Sequence, residues 1–187
     1  MKIAETEINK LFDKFYSAYN KDKWLVAKDL MLLIIKKEKK LSFFNYSRLS
    51  SCYYELREYK TALKYSQIAY KINPKSPLVL WDYAGVLRMV NKERKAIELL
   101  QRIKALDKYK IGSVITTTGT KWAKSLLNDC NFQIGYCYYQ IYENTKAKKY
   151  FLKHLSLRKR GLHSLYSRKQ VMKFLNTIEV ERNVSKH

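Results

Sequence analysis

"FFNYSRLSSCYYELREYKTALKYSQIAYKINPKS" occupies residues 43–76, and laid over "PLVLWDYAGVLRMVNKERKAIELLQRIKALDKYK" at 77–110 it keeps its pattern at a shift of 34 residues. Tyr46 falls on Leu80, Leu49 on Tyr83, Ser50 on Ala84, Tyr53 on Leu87 and Ala62 on Ala96, each pair matched in size class. A period of this length marks a unit of two amphipathic helices joined by a polar turn. One such hairpin cannot bury its own apolar face, so several must stack. The small residues of the pattern stand where two helices have to approach closely.

The same template returns in "CNFQIGYCYYQIYENTKAKKYFLKHL", where Ile134, Gly135, Tyr138, Ala147 and Phe151 take the corresponding places. Ala96 to Ala147 is 51 residues, which is one period plus an insertion of 17. A fainter copy opens the chain, with Leu11, Phe15, Ala18, Ala27, Met31 and Ile34 in register and a step of 35 from Ala27 to Ala62. The last hairpin needs a cover. Residues 164–181 suit that duty, because Leu165, Val171, Met172, Leu175 and Ile178 recur at helical spacing.

Composition agrees with an all-α chain. Of 187 residues, 47% are hydrophobic and 29% charged, ordinary globular usage, while five Gly and two Pro are too few for a barrel with many tight turns. The longest apolar run, residues 30–35, is far short of the ~20 residues that cross a bilayer, and no membrane partner is expected. The opening "MKIAETEINKLF" carries two Glu beside its first apolar residues and is not a secretory signal. Cys52, Cys130 and Cys137 form no CxxC pair; on one helix, residues seven apart are about 10 Å apart, too far for a disulfide. Three packing thiols in a reduced cytoplasm are the natural reading, with no metal site and no cofactor.

The 34-residue unit resembles the tetratricopeptide repeat (TPR) family, with its large residue, large and small pair, aromatic, Ala and closing Pro. "INPKSP" supplies that closing Pro at Pro74, whereas His154 and Lys159 depart from the pattern in the third copy. The resemblance implies an α-solenoid of about four hairpins, about nine helices in a right-handed superhelix. The expected organisation is a degenerate hairpin over 1–42, repeats over 43–76 and 77–107, an inserted loop over 108–120, a hairpin with a long first helix over 121–160, and a capping helix and tail over 161–187. It also implies that the first helix of each pair lines a concave groove, made here by Phe12, Tyr16 and Tyr19, then Phe44, Ser47 and Tyr54, then Trp81, Gly85 and Arg88, then Phe132, Tyr136 and Tyr139. These are the candidate partner contacts, since Tyr and Trp supply rigid contact area with one polar atom each. The Lys and Asn clamp by which some TPR proteins grip a terminal carboxylate is missing, with Ser51, Gly85 and Tyr136 at its Asn positions.

Between the second and third good copies, Gly112 and Gly119 bracket a β-branched, Thr-rich stretch of poor helix propensity, and Thr118 or Thr120 can cap a helix over 121–142. The insertion reads either as a tolerated loop or as a protrusion offering Trp122, Lys121 and Lys124 to a partner.

Charge gives the second clue. Lys plus Arg number 38 against 16 Asp plus Glu, a formal net charge of +22. Residues 108–178 hold 14 basic and 2 acidic side chains, and 144–178 hold ten basic and none acidic. A basic patch of Lys146, Lys149, Lys153, Arg158, Lys159, Arg160, Arg168 and Lys169 follows, although a Lys-rich composition also arises without functional demand. Such a field favours acidic partners. With Tyr150, Phe151 and Tyr166 interleaved it could also suit RNA.

No GxGxxG, GxxxxGKS, GxSxG or HExxH is present, and His154, His163 and His187 are scattered. Arg158, Arg160, His163 and Arg168 could converge on a phosphate but bring no carboxylate for acid and base work. The expectation is a non-enzymatic module for an acidic protein or peptide, with no small-molecule substrate and with nucleic acid the lesser alternative. The block from Trp122 to Lys169 is also similar to the C-terminal halves of small bacterial TPR proteins encoded beside secreted toxins. That likeness implies an immunity protein binding one toxin tightly.

Overall fold

Ala27, Ala62, Ala96 and Ala147 are each fully buried in the computed structural model of the chain, which describes residues 2–38, 40–106 and 119–184 and the side chains of 6–38, 40–106 and 123–181. A single methyl lets the second helix close on the first in the hairpins that hold Ala27, Ala62 and Ala147. Among the described residues there are nine helices and no strand. They are α1 (Lys2–Tyr19), α2 (Trp24–Lys37), α3 (Phe43–Glu55), α4 (Tyr59–Ile72), α5 (Pro77–Met89), α6 (Glu93–Ala105), α7 (Gly119–Gln140), α8 (Asn144–Lys159) and α9 (Arg168–Val184).

Their ends follow local chemistry. Ser42 caps α3 by accepting from the Asn45 N–H at 3.4 Å, and α5 starts on Pro77, where the missing N–H costs nothing. Basic residues close α2, α6 and α8 against the negative end of the helix dipole.

The turns repeat as regularly as the alanines. Asp22, Arg57, Asn91 and Tyr142 all take positive φ, between 54° and 61°, and each stands five residues before one of the four alanines. At Asp22 the closing bonds run from its own N–H to the Tyr19 carbonyl and from Lys23 to Ala18. The same two bonds recur at Arg57 and at Tyr142, and Gly161 ends α8 in this way at φ 83°. This is the Schellman closure, whose left-handed residue is usually Gly because a Cβ there costs roughly 1 kcal/mol. Tyr142 is 88% exposed and has little packing to lose. Tyr142→Gly is therefore expected to stabilise the chain by about 0.5–1 kcal/mol, read as a rise of a few degrees in Tm, while Asn91→Gly gains less because Asn tolerates this region.

The chain divides into two compact units, Met1–Asn91 and Lys92–His187, so the division falls between the two helices of the repeat expected over 77–107. In the first unit α2 packs on α1 and α3, α3 on α4 and α5, and α4 on α5. Phe15, Ala18, Ala27, Met31, Ile34, Leu49 and Cys52 form its buried cluster. In the second unit α7 packs on α6 and α8, and α9 on α8. There Phe132, Ala147, Phe151, Val171, Leu175 and Ile178 make the core.

Two expectations need adjustment. The long helix begins at Gly119 and ends at Gln140, since Tyr142 turns left-handed. The final helix starts at Arg168, leaving Leu165 and Met172 exposed while Val171, Leu175 and Ile178 are buried. Of the inserted loop, 108–118 and the Trp122 side chain lie outside the described residues.

Candidate partner-binding site

In the first unit the first helices of the hairpins bring one charged pair among aromatic rings. The guanidinium of Arg48, on α3, lies 5.1 Å from the ring centre of Phe44 and 5.6 Å from that of Tyr19, on α1. Both are within reach for cation–π attraction. Arg48 also bonds the Tyr19 phenol, yet its Nε is buried with no hydrogen-bond partner.

Asp82 of α5 faces the same place. Its carboxylate accepts from the Ser47 and Ser51 hydroxyls. Burial lifts its carboxyl above the usual range, opposed by Arg48 and the two serines. Burial likewise lifts the phenols of Tyr16 and Tyr19 against the pull of Arg48. Because Asp82 holds its proton more tightly folded than unfolded, its stabilising contribution is present in acid and fades as pH rises through its folded pKa. Asp82→Asn keeps an acceptor for the serines and removes the half-buried charge. The variant should match the parent near pH 4 and gain on it as pH rises above the ordinary carboxylate range, checked by Tm across pH 4–8.

Of the expected groove residues, Tyr16, Tyr19, Phe44 and Ser47 are gathered around Arg48. Ser47 itself is buried and serves Asp82. Phe12 packs at the edge of the first unit's core, Trp81 and Arg88 are half-buried on α5, and Tyr54 leans edge-on against Tyr59 at 5.7 Å. Arg48, like Arg57 and Arg88, is readable from the sequence as able to meet acidic side chains on a peptide. Asp82 is the member that reading by repeat position left out, and the lone acid within "PLVLWDYAGVLRM" was its visible signal.

The second unit treats its aromatics differently. Phe132 is 5% exposed and stacks on Tyr166 at 3.8 Å, while Tyr136 and Tyr139 meet Phe174 of α9 edge-on at 5.5 and 5.3 Å. The capping helix thus covers the stripe, and Phe132 is core rather than contact surface.

Nearby, Asp129, Ser164 and His154 come together, and their order decides what they can do. The Ser164 hydroxyl donates to Asp129, which also accepts the Leu165 N–H at 3.2 Å. His154 is fully buried, with Nδ1 3.1 Å from the Asn128 carbonyl and Nε2 3.4 Å from Ser164. Activating a serine needs the histidine between hydroxyl and carboxylate. Here the carboxylate holds the serine directly, and burial raises its pKa above the usual range. The group is a structural pin for residues 162–167. Arg158 completes it by donating to the carbonyls of Ser164 and Tyr166 at 3.1 and 2.9 Å, so it does not join Arg160, His163 and Arg168 around a phosphate.

The basic patch divides in the same way. Lys146 is spent on Glu143 at 2.5 Å, which Arg94 also reaches at 3.3 Å. Lys149, Lys153, Lys159, Arg160, Arg168 and Lys169 are exposed. Among the described residues no metal-holding group of His, Cys, Asp and Glu exists.

Helical hairpins that step by 35, 34 and 51 residues, each with a left-handed turn residue, define an α-solenoid of TPR-like units. Solved structures share this fold. The chain is similar to the apo form of RapI, with a TM-score of 0.73 and 17% identity over 95% of this chain and 64% of that one. It is similar to MamA 41-end from Desulfovibrio magneticus RS-1, with a TM-score of 0.64 and 13% identity over 82% and 76% of the two chains. A further MamA structure gives 0.63 and 15% identity over 100% of this chain and 97% of that one. No family model matches the chain, and no curated protein does. At these identities the likeness carries the fold alone.

Proposed function

We propose that this chain is a non-enzymatic interaction module that takes an acidic segment of a protein partner on the inner face of its first unit, in a reducing cytoplasm that keeps its three thiols free. One observation carries the reading: the guanidinium of the half-buried Arg48 is framed by Tyr19 and Phe44. A carboxylate meeting its accessible side pairs with the Arg and brings apolar area against Phe44 and Tyr16. The charge of +22 draws acidic partners towards it.

A row on α8 supports nucleic acid as a second reading. Lys149 and Lys153, with Arg160 just past the helix end, are exposed along one side, and residues 144–178 hold no acid to neutralise them. Pull-down of the tagged protein from its own lysate, with and without nuclease, separates the two. The expected result is one nuclease-resistant protein at near-equal amounts, bound less tightly by about 2–5 kcal/mol when Arg48 is replaced by Ala. If that partner is a toxin released only slowly, the module is its immunity protein. Retention unchanged in both Arg48→Ala and Trp81→Ala removes the inner face from the mechanism, and loss on nuclease treatment transfers the function to the α8 row.

A further inference from the structure

Helix α2 is apolar nearly all the way round, a pattern ordinarily found in enclosed helices. Only one side of it is enclosed. Ala27, Met31 and Ile34 are fully buried, whereas Leu25 is 60% exposed, Val26 51%, Leu33 38% and, just past the helix, Leu41 65%. Exposed lysines surround this side: Lys21 and Lys23 before the helix, Lys36 in its last turn and Lys40 beyond it. The acids nearby are mostly engaged. Asp29, one turn from both Leu25 and Leu33 and 70% exposed, pairs with Lys28 at 3.2 Å; Glu7 is held by Lys37 at 2.9 Å, and Glu38 accepts from the Asn45 side chain. Asp22 stands in the turn before the helix.

We propose that this side of the first unit seats on an anionic lipid surface, with Leu25, Val26 and Leu33 entering the headgroup boundary and the lysines resting on acidic headgroups. Charge selects this occupant. A second copy of the chain would set lysines against lysines, and an uncharged surface would leave them without partners. Aliphatic side chains rimmed by Lys match an anionic bilayer interface on both counts. Seating of this kind needs no spanning segment, and no described helix is long and apolar enough to cross a membrane.

The test is co-sedimentation of the full chain with vesicles of phosphatidylcholine alone and of phosphatidylcholine with 30% phosphatidylserine, alongside light scattering for mass. The chain should pellet with the anionic vesicles and stay in solution with the neutral ones. The double change Leu25→Glu and Leu33→Glu, with helicity checked by circular dichroism, should weaken binding at least tenfold; Leu25→Ser with Leu33→Ser serves if the first pair fails to fold. Lys36→Glu with Lys40→Glu should weaken it similarly, and Lys149→Glu with Lys153→Glu by less than threefold. Binding that survives the leucine changes, or that is lost only with Lys149 and Lys153, overturns the proposal. So does a dimer dissolved by the leucine changes with no vesicle binding, which assigns this side to a second copy.

Discussion

Phe151→Ala is expected to cost about 3–5 kcal/mol of stability, measured by denaturant unfolding, as removal of a fully buried aromatic ring does. Phe151 is the hub of the second unit's core. Its ring lies parallel to Phe174 at 5.4 Å and tilted to Phe132 at 5.7 Å, and Phe132 in turn stacks on Tyr166. One side chain therefore joins α8 to α7 and to α9, and through Phe132 it backs the turn before α9. The hole left by Ala cannot collapse easily, because α7 is already tied to that turn through Asp129. Phe151→Leu should cost markedly less, and Leu152→Ala, on the exposed neighbour, within about 0.5 kcal/mol.

Gly135→Ala should destabilise the same core by about 1–3 kcal/mol, although Ala is the better helix former by about 1 kcal/mol. A Cβ built on Gly135 comes within 2.9 and 3.0 Å of the Phe151 ring and 3.3 Å of the Ala147 carbonyl oxygen. The ring is hemmed in by Phe132 and Phe174, and the carbonyl belongs to the backbone of α8, so neither can withdraw freely. The contrast is Gly85→Ala, where nothing stands within 4 Å and the helix-propensity gain should appear unopposed. Pairing Gly135→Ala with Phe151→Leu tests the cause. The shorter side chain vacates the space, so the double variant should be more stable than the sum of its parts by 0.5 kcal/mol or more.

Most of the fold was legible because its spacing is carried by residues that cannot be exchanged freely. Alanines 27, 62, 96 and 147 recur at steps of 35, 34 and 51, and the left-handed turn residues recur at the same steps. Periodicity finds the face of a helix that is buried or aromatic, but not what covers it. Hence Phe132, Tyr136 and Tyr139 read as groove, and the structure sets Phe174 on them. The start of the final helix was missed for a related reason. Asp129, 36 residues before Leu165, and Arg158 together hold the backbone around Ser164 out of helical form. The nearer signal was available: Ser167 and Gln170 form a reciprocal capping box, with the Gln170 side chain 2.7 Å from the Ser167 N–H and the Ser167 hydroxyl 3.2 Å from the Gln170 N–H. Arg48 was visible as a charge on the right helix. Its importance depends on two rings and a carboxylate that only packing brings together.

The buried cysteines turn into a clock. Burial pushes the Cys52 thiol up to about 12, against the pull of Arg48, and raises Cys130 as well, while Cys137 is equally enclosed. Only the thiolate attacks an alkylating reagent, and all three thiols are buried, so modification at neutral pH waits until the structure around them opens. Cys52 belongs to the first unit and the other two to the second. Modification rates at these positions, resolved by mass spectrometry after brief exposure to a maleimide, would time the opening of each unit in one sample and without a label. They would show whether the two halves of the chain come apart together or in turn.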